Sequence, residues 1–250
     1  MVSFVETKTM KKITLLFLIF LSNIIFAQTS DVTKKIGSLV EVLQQNRIDP
    51  VKLDSVITEA YKLYDESTVI QQKTTIKSLI SLAKDLKNIS YSAKTIKTPF
   101  ESLDRDIQKK YSYEYDKFKK AGFVSVKRSM NDNINIYITI KDDIARIRLI
   151  TKYYGSGWLF FNKSIFIIDG NNYEYEAEST SREVRSAGNV FEKSDLAVNE
   201  NMLNILKAIV NSKGVVEYRL SGEKYSDFKL SDKEKENIIL ILNIYNKITE

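Results

Sequence analysis

Tyr153 and Tyr154 are followed by Gly155-Ser156-Gly157 and then by Trp158, the single tryptophan of the chain. Flat aromatic faces carried on a flexible turn can stack on sugar rings or on aromatic ligand groups, with the tyrosine hydroxyls as hydrogen-bonding ends. The same spacing suits a tight hairpin whose aromatics fold back into the core. The second reading is favoured because Trp158 opens an apolar run to Ile168 that reads as a central strand. Arg146, Arg148 and Lys152 occupy alternate positions of one segment, and Glu174, Glu176 and Glu178 do so in another. The two rows are expected to share a sheet face. Such a face can hold a polar ligand, although opposite charges there mostly pair across strands or meet water, each pair adding only ~0.2–1 kcal/mol.

The chain has no His, which removes the usual general base together with Ser-His-Asp, Cys-His and His-metal chemistry. It has no Cys, which removes disulfides, thiolate nucleophiles and Cys-ligated metals. Carboxylates remain as acid/base groups, and glycoside hydrolysis needs two of them ~5–10 Å apart in a cleft. Asp142-Asp143 reads as a turn between strands, and the glutamate row as an outward face, so no catalytic residue is assigned. Ser-x-x-Lys occurs at Ser81/Lys84, Ser221/Lys224 and Ser226/Lys229 without the partner motifs of acylating enzymes. There is no Gly-rich phosphate loop, and Asp169-Gly170-Asn171 lacks the spacing of a calcium loop, so neither cofactor nor metal is expected. Lys109-Lys110 and Lys117 to Lys120, interleaved with Tyr111, Tyr113 and Tyr115, read as the solvated face of a long helix rather than a nucleic-acid patch.

These residues must be positioned by elements of two kinds. Seven of the eight Gly lie at or beyond Gly122; residues 28–121 hold 17 basic and 13 acidic groups, and residues 122–250 hold 18 of each. The first part reads as helical. Asp31 caps a helix to about Arg47 with Ile36, Leu39, Val40 and Leu43 on one face, and Asp49-Pro50 starts a second with Leu53, Val56, Ala60 and Tyr64. A third covers about 68–88. Thr98-Pro99-Phe100-Glu101 signals a fourth, whose stripe Phe100, Leu103, Ile107, Tyr111, Tyr115 and Phe118 runs to Gly122.

The second part alternates with period two, as Ile134, Ile136, Ile138 and Ile140 show. Asp169-Gly170-Asn171-Asn172 is a turn, a helix follows at about 200–212, and Ser231/Glu234 is a capping box that opens the last helix. The fold expected is α+β: an N-terminal helical segment (28–121), then an antiparallel sheet of about five to six strands with two helices on one face (122–250).

Met10-Lys11-Lys12, the apolar run Ile13–Phe26 and the small residue Ala27 have the form of a secretory signal peptide over residues 1–27, with translation expected from Met10 and cleavage after Ala27. The ending Phe26-Ala27-Gln28 resembles signal peptides of exported Bacteroidetes proteins. The run is short of the ~20 residues of a membrane span, so no span is expected after cleavage. The sequence therefore points to an extracytoplasmic, periplasmic or secreted protein. Its expected role is a non-catalytic binding or interaction module of the bacterial cell envelope, with an envelope protein or glycan as partner and not nucleic acid. The candidate contacts are Tyr153, Tyr154, Trp158, Arg146, Arg148, Glu174 and Glu176. The alternative is a carboxylate-dependent hydrolase of polysaccharide or peptidoglycan.

Overall fold

Asp49 and Pro50 open a helix as their order predicts. The Asp49 carboxylate accepts from the backbone N–H of Val51 and of Lys52 at 3.0 and 3.1 Å, and Pro50 takes the first helical position. The computed structural model describes residues 31–45, 49–127, 132–177 and 180–250. The expected signal segment with Met10 and Ala27, the end of the first helix at Arg47, and Glu178 lie outside the described residues. Two compact units part between Tyr91 and Ser92 rather than at Gly122.

The first unit holds α1 (Asp31–Gln45), α2 (Pro50–Glu66) and α3 (Ile70–Ser90). Their apolar stripes meet in one core of Ile36, Val40, Leu43, Leu53, Val56, Leu63, Ile76, Leu79 and Leu86, among others. Each helix has a single apolar face, so burial against its neighbours supplies most of its stability. Tyrosines at the edge of the stripe are covered by lysines. The Lys73 and Lys77 ammonium groups lie 4.9 and 5.2 Å from the Tyr64 ring centre, and Lys84 reaches the Tyr61 hydroxyl at 2.8 Å.

The second unit is the α+β part. It begins with the short strand β1 (Ala93–Thr95), and the helix expected over 98–121 is replaced. Thr98-Pro99 starts only a single 3-10 turn, Phe100–Ser102, and Asp104 caps the one-turn helix α4 (Arg105–Gln108). Strands β2 (Tyr111–Asp116) and β3 (Ala121–Val126) then form a hairpin. Tyr111, Tyr113 and Tyr115 recur at period two as well as at helical spacing, and β-prone tyrosines pair with β3 once that strand is in the sheet. Asp116 closes the hairpin turn by accepting from the N–H of Phe118 and of Lys119, and these donors hold its carboxyl below the usual range. Lys109 and Lys110 therefore precede the hairpin, Lys117, Lys119 and Lys120 lie in its turn, and none of them is on the face of a long helix. With this division, residues 92–250 carry 26 basic and 23 acidic groups and residues 28–91 carry 9 and 8, so of the net +4 of residues 28–250 three charges belong to the second unit.

The chain continues through β4 (Ile134–Lys141), β5 (Ile144–Gly155), β6 (Lys163–Ile168), β7 (Asn171–Glu176), β8 (Thr180–Val184), β9 (Val190–Ala197), α5 (Glu200–Asn211), β10 (Glu217–Ser221), β11 (Tyr225–Lys229) and α6 (Asp232–Thr249). Two antiparallel sheets result. The seven-stranded sheet has the order β2-β3-β4-β5-β9-β8 with β1 also beside β5, and the four-stranded sheet has the order β11-β10-β6-β7. More strands form than the alternation suggests, because β8 and β11 are short and rich in Ser, Arg, Glu and Asp, without an apolar phase. The hairpins β4–β5 and β6–β7 close on Asp142-Asp143 and Asp169-Gly170. All four of these residues have positive φ, as the twist of a two-residue hairpin requires.

Helix α6 lies on the inner face of the larger sheet and α5 on the smaller one, and the two helices touch. Both sheets and both helices share one core. Within it Phe166 stacks on Tyr175 and on Tyr218, and Tyr218 stacks on Phe228. The Ser231/Glu234 capping box is present, and the Glu234 carboxylate also accepts from the first amide of β4, Ile134, at 2.9 Å, so the cap locks α6 to the sheet. Among the described residues no helix is long and apolar enough to cross a membrane.

Candidate functional site

Tyr153 and Tyr154 are neighbours on β5 and so point to opposite faces of its sheet. Tyr153 packs against the core, its ring over Gly155. Tyr154 is 58% exposed on the other face, in register with Phe191. The apolar run from Trp158 is not all strand. Residues 158–162 have no regular structure, β6 starts at Lys163, and Trp158 is half-buried. The three aromatics therefore do not form one cluster.

The charged rows are likewise separated, because Arg146 and Arg148 sit on the seven-stranded sheet and Glu174 and Glu176 on the four-stranded one. Arg148 donates through Nε to the Asp195 carboxylate at 2.8 Å and through Nη2 to the Asp195 carbonyl, and Tyr137 donates its hydroxyl to the same carboxylate at 3.1 Å. Burial first, and then Asp195, pushes the Tyr137 phenol up. Arg146 stands opposite Thr139 and Ala93. Glu174 and Glu176 are exposed on an open sheet face, each in an ion pair with Lys163 at 3.3 and 3.5 Å. Exposed pairs of this kind add little stability. They also lack the cleft that two hydrolytic carboxylates require. Among the described residues no group of three or more acidic side chains is placed to hold a metal ion.

A different residue organises the segment after β5. Glu192 of β9 has no exposed surface. Its Oε1 accepts from the N–H of Leu159 at 2.6 Å and of Phe160 at 3.0 Å, and its Oε2 accepts from Phe161 N–H at 3.1 Å. Arg182 of β8, directly opposite, pairs with the same carboxylate at 3.3 Å. One buried charge is thus satisfied by three successive amides and a guanidinium, which is the condition for burying it at all.

What these bonds hold is strained. Phe160 has φ +53°, which for a bulky residue is a true outlier costing about 1–3 kcal/mol. The hairpin turn after β10 adds a second clamp. Lys224 N–H donates to the Leu159 carbonyl, and Asn162 N–H to the Ser221 carbonyl. Gly222 passes so close that a Cβ there would come within 2.2 Å of the Phe160 carbonyl oxygen, which explains the glycine.

The product of this arrangement is a layered surface. The Trp158 and Phe160 rings stack at 5.8 Å with 29° between their planes, and the Arg182 guanidinium lies 5.3 Å from the Phe160 centre. Phe160 is 38% exposed. Sequence reasoning found Trp158 but missed Phe160, Arg182 and Glu192. The available signal was Glu192 itself, which shares the inward phase of Val190 and Ser194 in β9, a poor place for an unpaired carboxylate. The chain matches no protein-family model, no curated protein and no solved structure.

Proposed function

We propose that this chain is a non-catalytic binding module of the bacterial cell envelope that receives a ring-shaped ligand, a glycan unit, on the Trp158–Phe160 surface. The observation that carries this reading is the Glu192 clamp. A fully buried carboxylate and a close-fitting glycine together keep Phe160 in an unfavourable backbone region, and the visible result is an aromatic pair at the surface. Strain of this kind persists where surrounding structure over-determines it, and it clusters at ligand clamps. Arg182 covers one face of Phe160 and Trp158 stacks on the ring, so the indole supplies the stacking face for a ligand.

Trp158→Ala should weaken binding of soluble envelope oligosaccharides about tenfold or more in calorimetric titration, at an unchanged melting temperature. A lowered melting temperature with unchanged binding would show that the indole only fills space. The extracytoplasmic setting rests on the N-terminal segment described above. Sequencing the N-terminus of the chain recovered from the cell envelope should begin at Gln28, and a chain retaining Ile13–Phe26 would count against export by cleavage.

A further inference from the structure

Phe118 stands in the turn of the β2–β3 hairpin and is 90% exposed, more than any other large apolar side chain among the described residues. Exposure climbs along the strand that leads to it. Tyr111 is buried, and Tyr115, on the same face of β2, is 58% exposed. The turn itself is fixed. The Asp116 carboxylate accepts from Phe118 N–H at 2.9 Å and from Lys119 N–H at 3.0 Å, and Lys120 closes the loop with φ +49°.

A single exposed apolar residue is ordinary on a protein surface. Phe118 is set apart by its neighbours, because every other residue of the turn is a lysine. Lys117 and Lys120 are exposed and form no ion pair among the described residues, and the Lys117 ammonium lies 5.4 Å from the Phe118 ring centre. Lys119 is paired with Asp116 at 3.2 Å, so the acid that opens the turn is neutralised within it. Glu114 lies further back along β2, opposite Phe123. The same end of the sheet adds Lys141 and Lys97 against Asp142 and Asp143, since Ile140 stands opposite Gly122 and Ile96 N–H donates to the Asp143 carbonyl. Lys97, Lys117, Lys119, Lys120 and Lys141 against Asp116, Asp142 and Asp143 leave a net +2.

A protein partner grips an anchoring ring in a pocket and surrounds it with further buried contacts. Here the surroundings are long, flexible cations on a convex turn, which suit a fluid anionic surface that needs no matched shape. At a bilayer interface the ring enters the acyl boundary and the tyrosine sits at headgroup depth. The lysine stems then lie along apolar surface while their ammonium groups reach anionic headgroups.

We infer that the β2–β3 hairpin tip docks this chain on anionic lipid bilayers, with Phe118 entering the interface and Lys117 and Lys120 at the lipid phosphates. One ring and a small net charge give weak, reversible attachment. Strand β5 runs twelve residues from Ile144, at this end of the sheet, to Gly155, a length of ~40 Å. Trp158 follows the far end of that strand, so the inference does not rest on the Trp158–Phe160 surface.

The test uses the chain from Gln28, which keeps every described residue and omits the apolar run Ile13–Phe26 that would itself enter lipid. Vesicles of phosphatidylcholine, with or without an equal part of phosphatidylglycerol, are sedimented with it. The chain should pellet with the anionic vesicles, stay in solution with the neutral ones and be released by raised salt. Phe118→Ala, and separately Lys117→Gln with Lys120→Gln, should each lower the partition about tenfold. Their melting temperatures should be unchanged, because all three side chains are exposed. Trp158→Ala should pellet as the parent does. With the single indole moved to the tip, by Phe118→Trp with Trp158→Phe, emission should shift to the blue on anionic vesicles. Undiminished pelleting of Phe118→Ala would mean adsorption by charge alone and would overturn the anchor. Equal pelleting with neutral vesicles would overturn the role of the lysines, and no pelleting with either would overturn the lipid assignment in favour of a protein partner.

Discussion

Glu192→Ala should destabilise the second unit by about 3 kcal/mol or more, the scale for breaking a buried ion pair. Three amide donors lose their acceptor at once, and Arg182 loses its partner. Hydrogen bonds to a charged group contribute ~1.5–3 kcal/mol each, and a buried N–H left unsatisfied carries its own desolvation cost. With the carboxylate gone, only the flanking Lys224 and Asn162 bonds still hold the left-handed backbone at Phe160, so the segment should relax and the Trp158–Phe160 stack should open. The chain has one tryptophan, and it sits on this segment, so its fluorescence reports the event directly. A red-shifted emission before any denaturant is added, with a lower urea midpoint, is the expected result. Glu192→Gln keeps one carbonyl acceptor but turns an amide donor toward the backbone N–H groups, so it should fall between alanine and the parent. An unchanged spectrum and midpoint for Glu192→Ala would mean that the clamp holds nothing. The ring-binding proposal would fall with it.

Stability should be flat across neutral pH and should collapse above pH 10. Burial pushes the phenols of Tyr111, Tyr137, Tyr175, Tyr218 and Tyr245 up, and with Glu101 it pushes Tyr113 up to about 12. The folded value of each lies above its unfolded value of 10.0. The stability they contribute is then fully present below pH 10 and is lost as pH rises toward the folded values, because only the unfolded chain gives up those protons. Each unit of difference withdraws about 1.4 kcal/mol, so a few such groups rival the whole stability of a domain, ~5–15 kcal/mol. Lys152, whose value is lowered, acts in the opposite sense in the same window and is one group against six. With no His, the chain lacks the side chain that ordinarily titrates near neutrality. Tyrosinate absorbance should therefore rise in a cooperative step that coincides with loss of the folded circular dichroism. If all the tyrosines ionise together with the fold intact, the buried-phenol account fails.

The helical unit was readable because its signals are local. Asp49-Pro50 fixes a start through bonds spanning two or three residues, and stripes such as Leu53, Val56 and Ala60 need only the 3.6-residue turn to define a face. Ser231/Glu234 and the Asp169-Gly170 turn were readable for the same reason. Residues 98–121 were not, since Tyr111 and Tyr115 satisfy both a helical and an extended period. The choice was made by β3, which offers a partner strand to one of the two. Alternation also told which residues of a strand share a face, but not which sheet the strand would join. Arg146 and Arg148 are thereby separated from Glu174 and Glu176, although each row was read with the right phase.

The amino-acid order by itself determined that this is an α+β chain with helices first, without thiol or imidazole chemistry, and with aromatic residues gathered around Gly155-Ser156-Gly157. Composition and short-range periodicity are enough for that, because each statement depends on single residues or on neighbours within a turn of chain. The tertiary structure alone decided that Tyr153 and Tyr154 part company across a sheet, and that Arg148 reaches Asp195. It also decided that Glu192, thirty-odd positions along the chain, holds the segment carrying Trp158. Those are contacts between strands distant in sequence. The free energy that selects them comes from burying one shared core and satisfying one buried charge, and neither is written in any local pattern.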